Sequence, residues 1–235
     1  MYTFNTRVSY SRVDKTGKVP LYEIMNYLQD CSTFHSEDLG VGVDHMKSIG
    51  KAWVVVAYKV KINKPIMLGQ EICVGTAPTS FDSLFGKRQY FIKDDKGEYI
   101  VQADTIWVLI DFERRRPTRI TEEVSMKYEP ETVFEGVNAK RKLKLKGEKK
   151  KLPSFEVKKT YIDNNGHMNN ADYLRAAMEY LPEGFTCKEM DIAYNKEAMA
   201  GEIIIPYMSK EEDGIGISFE DENGELHTTI KLIEA

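Results

Sequence analysis

The chain has 235 residues, 42% hydrophobic and 30% charged, with a formal net charge of −4 at pH 7. That balance is that of a soluble globular chain able to bury a sizeable core; the acidic excess points away from nucleic acid, and no apolar run is long enough for a membrane span. Three widely spaced cysteines (Cys31, Cys73, Cys187) and four histidines (His35, His45, His167, His227) fit neither a disulfide framework nor a metal site, so the expectation is a cytoplasmic protein without metal or cofactor. The first residues, MYTFNTRVSY, lack a signal-peptide core, and Thr3 to Ser11 instead alternate as a strand. Asp14 to Gly17 make a turn. Pro20 then stands where a first helical residue belongs, and Leu21, Ile24, Met25 and Leu28 form an apolar stripe that runs out before Gly40. Strands are predicted over 53–62, 71–77, 87–92 and 98–111, punctuated by Pro65, Gly69, Gly86 and the turn Asp94 to Gly97. One long helix followed by an antiparallel meander is an α+β pattern.

Beyond Asp111 the chain turns basic (Arg114, Arg115, Arg116, Arg119), then Thr121-Glu122-Glu123 opens a short helix and a packing extension reaches Val137. Asn138 to Pro153 carries eight Lys or Arg and one Glu: Lys140, Arg141, Lys142, Lys144, Lys146, Lys149, Lys150, Lys151 and Glu148. So little apolar content reads as a solvated linker. The expected organisation is a domain at 1–137, a basic linker at 138–153 and a second domain at 154–235.

The second domain opens on YIDNNGHMNNADYLRAAMEYL, residues 161–181. Asp163, Asn165 and His167 alternate through a turn containing Gly166. A helix starts near Asn169 or Asn170, with Asp172 in its first turn and Leu174, Ala177, Met178 and Leu181 as its stripe; Pro182 and Gly184 close it. Free backbone N–H groups gather at such a helix start, beside three side chains able to serve as acid, base or hydrogen-bond partner. That is a place to stabilise a developing oxyanion.

The two domains also repeat each other. Asp14 to Val19 matches Asp163 to Met168, Asn63 to Gly69 matches Asn195 to Gly201, and Lys96-Gly97-Glu98 matches Asn223-Gly224-Glu225, all in the same order. Where the second copy has Asn165, His167 and Glu197, the first has Thr16, Lys18 and Pro65. Only the second copy keeps groups suited to acid–base work. Chemistry is therefore expected in the second domain and apolar binding in the first.

The stretch D-x-N-x-H-x-N-N-x-x-Y at Asp163 to Tyr173, with Glu197 and Gly201 downstream, the strand Trp107 to Phe112 before Arg115-Arg116, and Ile120 to Val124, resembles the acyl-acyl-carrier-protein thioesterases, bacterial type, over nearly the whole chain. The resemblance implies two tandem hotdog folds, each a long helix wrapped by an antiparallel sheet. It also implies hydrolysis of fatty acyl-carrier-protein thioesters to free fatty acid and carrier thiol, in a monomer or homodimer. By match the catalytic group is Asp163, Asn165, His167 and Glu197. Glu197 would be the base on water, Asn165 and His167 would serve the water and the carbonyl, and Asp163 would orient its neighbours. Many members carry a cysteine after the glutamate; here Ala198 stands there, which excludes a thiol nucleophile at that point. Three other readings share these motifs. One is an acyl-CoA thioesterase of 4-hydroxybenzoyl-CoA type with Asp163 as base or nucleophile, one a dehydratase acting on hydroxyacyl carrier protein, and one a non-catalytic acyl-binding module.

Overall fold

In the computed structural model, which describes residues 1–235, the chain divides into two units, Met1–Ala139 and Lys140–Ala235. In the first unit strand β1 (Tyr2–Arg7) leads to helix α1 (Leu21–Asp38) and a short α2 (Val43–Ser48). Strands β2 (Lys51–Ile62), β3 (Glu71–Phe81), β4 (Phe85–Lys93) and β5 (Tyr99–Asp111) follow, then β6 (Arg116–Thr118) and α3 (Glu122–Ser125). The strands lie in the order β1-β3-β4-β5-β2, all neighbours antiparallel, with β6 against β5. Helix α1 buries Ile24, Met25, Tyr27, Leu28 and Cys31. A fully buried side chain of this size contributes about 1.5–3 kcal/mol, so this face anchors the unit.

Two strands depart from the sequence expectation. β1 stops at Arg7 because its partner β3 begins at Glu71, and the chain beyond turns through a 3-10 turn at Tyr10–Arg12. β3 runs four residues past Ala77, and the ladder shifts register between Pro78 and Ser80. A proline without an N–H is accommodated at such an irregularity.

The second unit has β7 (Lys150–Lys151), β8 (Phe155–Glu156), α4 (Asn170–Met178), β9 (Cys187–Tyr194), β10 (Ile203–Glu211), β11 (Gly214–Glu220) and β12 (Leu226–Glu234). Its strand order is β9-β12-β11-β10-β7, with β8 also on β10. This repeats the first unit's order. Each unit is a helix against an antiparallel sheet, so the chain is α+β with two hotdog folds in tandem. The second helix is half the length of the first, nine residues against eighteen. It ends at Met178, so Leu181 lies beyond it.

The repeat extends to individual hydrogen bonds. Asp14 N–H donates to Lys18 O (2.8 Å) and Asp163 N–H to His167 O (2.9 Å); Gly17 and Gly166 take φ of +79° and +88°. Val8 and Val157 each accept from a glycine (Gly69, Gly201) and donate to the next residue but none (Gln70, Glu202). Lys64 bridges Asp94 and Glu98 as Lys196 bridges Asp221 and Glu225.

The basic stretch differs from a solvated linker. Lys146 and Gly147 N–H donate to Glu211 at 3.0 and 3.1 Å, Leu145 packs on Gly216, and β7 pairs with β10. A Cβ at Gly147 would fall 2.2 Å from Lys210 O, so only glycine allows this approach. Glu211 is buried. Burial raises its pKa, but Ser209 hydroxyl and the two strap N–H groups outweigh that and hold it below the usual carboxylate range. The alternation of Leu143 and Leu145 with lysines supplies one apolar edge, and the lysine heads stay in water.

Candidate active site

Asp163, Asn165, His167 and Glu197 all belong to the second unit. The Asp163 carboxylate is spent on its own turn. Its Oδ1 accepts from the N–H of Asn165 (2.8 Å) and, more distantly, of His167 (3.5 Å). Asp14 does the same for Thr16 and Lys18 in the first unit. Asp163 thus shapes the backbone that carries the other two and does not touch the His167 ring. Asn165 projects from the exposed crest of the turn.

Asn169 caps α4 as expected, its side chain accepting from Ala171 N–H (2.9 Å), while its carbonyl takes Asp172 N–H. Two of the donors expected at this helix start are therefore already used.

His167 and Glu197 are 30 residues apart in sequence and meet in space, with His167 Nε2 2.9 Å from Glu197 Oε2. Their alignment rests on the main chain. Met168 N–H donates to Ala198 O at 2.8 Å, and these are the residues immediately after the two side chains. Tyr194 hydroxyl, at the end of β9, donates to Asn170 O and ties the same two segments again (3.0 Å). In the first unit Val19 N–H donates to Ile66 O (2.9 Å), holding Lys18 and Pro65 in the matching positions. The frame is common to both units, and the second places a histidine and a carboxylate on it where the first has lysine and proline.

The imidazole is mostly covered (20% exposed) and the carboxylate half exposed (45%), so the pair has one face in the protein and one open to a substrate. Ala198 is fully buried beside it, and a side chain there points into the core.

Tyr173 in α4 is buried and belongs to the same motif, although no role could be assigned to it from the sequence. Its ring packs against Tyr194 and Phe219. Its hydroxyl is buried without a hydrogen-bond partner, as is Thr228 Oγ1. Burial pushes the phenol pKa up. A signal was available: in the repeat Tyr173 falls on Ile24 and Thr228 on Val101, polar on apolar.

The first unit also holds polar groups that the apolar stripe concealed. Arg88 is buried, with Nη1 3.1 Å from His35 Nδ1 and 3.2 Å from Thr76 Oγ1, and its guanidinium over the Tyr128 ring. Burial, with Arg88 adding to it, lowers the His35 pKa to about 4.

A tandem hotdog with a histidine–carboxylate pair in one half only is the class that fold and site define. The family model "Acyl-ACP thioesterase N-terminal domain" matches residues 1–128, and "Acyl-ACP thioesterase C-terminal domain" residues 144–234. The chain belongs to the acyl-ACP thioesterase family. It is 24% identical over 220 residues to oleoyl-acyl carrier protein thioesterase 2, chloroplastic, of Arabidopsis thaliana, covering 82% of this chain and 58% of that protein. The chain spans about half the length of the curated relatives it matches. Among solved structures, a putative oleoyl thioesterase from Lactobacillus plantarum superposes with a TM-score of 0.87 at 22% identity, over 98% of this chain and 94% of that one. The 12:0-ACP thioesterase from Umbellularia californica gives 0.86 at 16% identity, over 99% and 97%. No helix of the chain is long and apolar enough to cross a membrane.

Proposed function

We propose that this chain hydrolyses fatty acyl thioesters carried on acyl carrier protein, releasing free fatty acid and the carrier thiol. The observation that carries the reading is the His167–Glu197 contact of 2.9 Å, made on a frame whose other copy has lysine and proline. Glu197 Oε2 is held by His167, leaving Oε1 to take a proton from water as the water oxygen attacks the thioester carbon. His167, with its N–H given to Glu197, orients that carboxylate, and Asn165 on the crest of the turn faces the oxygen that becomes negative. The proton passes to the departing thiolate as the C–S bond breaks. Asp163 acts through the turn it folds. Its bonds to two N–H groups, shared with Asp14, favour this role over that of base or nucleophile in the 4-hydroxybenzoyl-CoA manner.

The domain roles follow: the first unit takes the acyl chain and the second does the chemistry. The carrier protein, acidic in this family, meets basic surface at 140–151 or at Arg114 to Arg119. The cytoplasm is the compartment, and monomer or homodimer the state. Thiol release from acyl-carrier-protein substrates of graded chain length tests the reading. Turnover that Glu197→Gln abolishes supports it; tight acyl binding without turnover at any length makes the protein a binding module.

A further inference from the structure

In each unit a lysine bridges two carboxylates of the turn before the last long strand, and that strand accepts N–H groups from the segment bearing position 65 or 197. In the first unit Lys64 bridges Asp94 and Glu98, and Asn63 N–H donates to Ile100 O (2.9 Å). In the second Lys196 bridges Asp221 and Glu225, and the N–H groups of Asn195 and Lys196 donate to His227 O (2.8 and 3.2 Å). Ile100 and His227 hold the same place, and both are fully buried. Packing there needs only hydrocarbon, as the first unit shows. The imidazole brings an N–H and a lone pair into the interior, and neither ring nitrogen has a hydrogen-bond partner. Burying such groups costs stability.

The ring is surrounded by charge. Its Nε2 lies 3.9 Å from Asp221 Oδ2, the oxygen that Lys196 Nζ already holds at 3.1 Å. Glu225 shares Lys196, and Glu202, just before β10, also acts on the ring. Burial, and then the Lys196 ammonium, outweigh these carboxylates and hold the imidazole below its ordinary pKa. We propose that His227 is an acid-sensitive switch beneath the turn that carries Glu197, a role that rests on the reading of Glu197 as base. A proton on the ring sets a second cation against Asp221 Oδ2, in a place closed to water. Of the two cations, Lys196 is the one able to leave, being part-exposed and also paired with Glu225. It stands immediately before Glu197, so its release loosens that segment and lets the carboxylate drift from His167. The first unit has no proton site at this place. A histidine held below its ordinary pKa takes its proton more readily once the turn opens. The closed turn is therefore favoured above about pH 6.5 and loses that advantage as pH falls from there to the lowered folded-state value.

His227→Ile installs the first unit's residue and removes the proton site. Amide exchange, which needs no substrate, reads the turn directly. In the unaltered protein the opening constants of the Asn195 and Lys196 N–H groups rise by up to about tenfold between about pH 7.5 and about pH 5.5, measured against Asn63 N–H, and in His227→Ile they stay flat. An NMR titration of the His227 ring, which needs no variant, gives a midpoint below the ordinary histidine value. With an acyl-carrier-protein substrate, the kcat of the unaltered protein falls several-fold further than that of His227→Ile over the same range. The same pH dependence of exchange in both proteins overturns the inference, as does a ring that titrates at or above about 6.5. If His227→Ile does not fold, the ring titration and the exchange of the unaltered protein at the two pH values decide. Full activity in Glu197→Gln overturns the proposed role of Glu197, and the exchange rates still decide whether His227 governs the turn.

Discussion

The first and second units are built on one frame and filled differently. Asp14 and Asp163 fold the same turn, Val19 and Met168 make the same hydrogen bond to the opposite segment, and Lys64 and Lys196 span the same pair of carboxylates. The positions these bonds hold carry Lys18 and Pro65 in one unit, His167 and Glu197 in the other. A hotdog turn therefore presents two facing side chains whatever they are. The helices differ as well: α1 buries an extended apolar face over eighteen residues, whereas α4 has nine and begins at the Asn169 cap.

The comparison breaks most visibly at Glu197. Glu197→Gln should lower kcat by on the order of 10²–10⁴-fold, the size of a general-base contribution, as measured by thiol release. Pro65→Ala, at the matched position of the first unit, should leave kcat within about twofold. Loss of activity from the first-unit variant would mean that chemistry is not confined to the second.

Docking comes next. Lys149 is engaged, 2.6 Å from Glu220 and over the Tyr207 ring, so Lys150 and Lys151, exposed on β7, are the lysines to reverse. Lys150→Glu with Lys151→Glu should raise KM for the carrier-protein substrate about tenfold at low salt, flatten its salt dependence, and spare a short-thiol substrate. Equal losses on both substrates would place the effect in folding.

Chain selection should be weaker and should map to the first unit. Met25 and Leu28 are buried on α1, so Met25→Trp should shift preference several-fold toward shorter chains and cost about 1–3 kcal/mol in overpacking, read from activity over a chain-length series and from urea unfolding. A stability loss with no shift in preference would make that face plain core.

The strap gives a pH signature of its own. The folded-state pKa of Glu211 is lowered, so its contribution is present above the ordinary carboxylate range and is lost as pH falls from that range through the lower folded-state value. Glu211→Gln should cost about 1–2 kcal/mol at neutral pH and remove that part of the acid dependence, seen by unfolding at graded pH. The smallest effect is expected at the thiols. Burial pushes Cys31 up to about 12, and Ala198 leaves no cysteine at the site, so joint replacement of Cys31, Cys73 and Cys187 should leave kcat within about threefold in a folded protein.

Much of this was legible in the chain. The α1 stripe, the Gly17 and Gly166 turns, the Asn169 cap and the repeat are local signals, set by backbone conformation and by apolar spacing within a few residues. The repeat even singled out Glu197, because a carboxylate opposite a proline is a difference that one-dimensional alignment can show. What the sequence could not supply is distance. That His167 meets Glu197 across 30 residues depends on the Met168–Ala198 hydrogen bond, which exists only once β9 and β10 place that turn against the start of α4. That the Asp163 carboxylate accepts from the N–H groups of Asn165 and His167 was not legible either, because composition does not show which backbone groups a carboxylate will meet. The lysine-rich stretch read as linker because charge dominates composition, whereas the strap is held by a buried Glu211 more than 60 residues away and by the missing side chains of Gly147 and Gly216. Local conformation is decided by neighbours in sequence; charges, hydroxyls and small residues acquire their roles from whatever the fold puts opposite them.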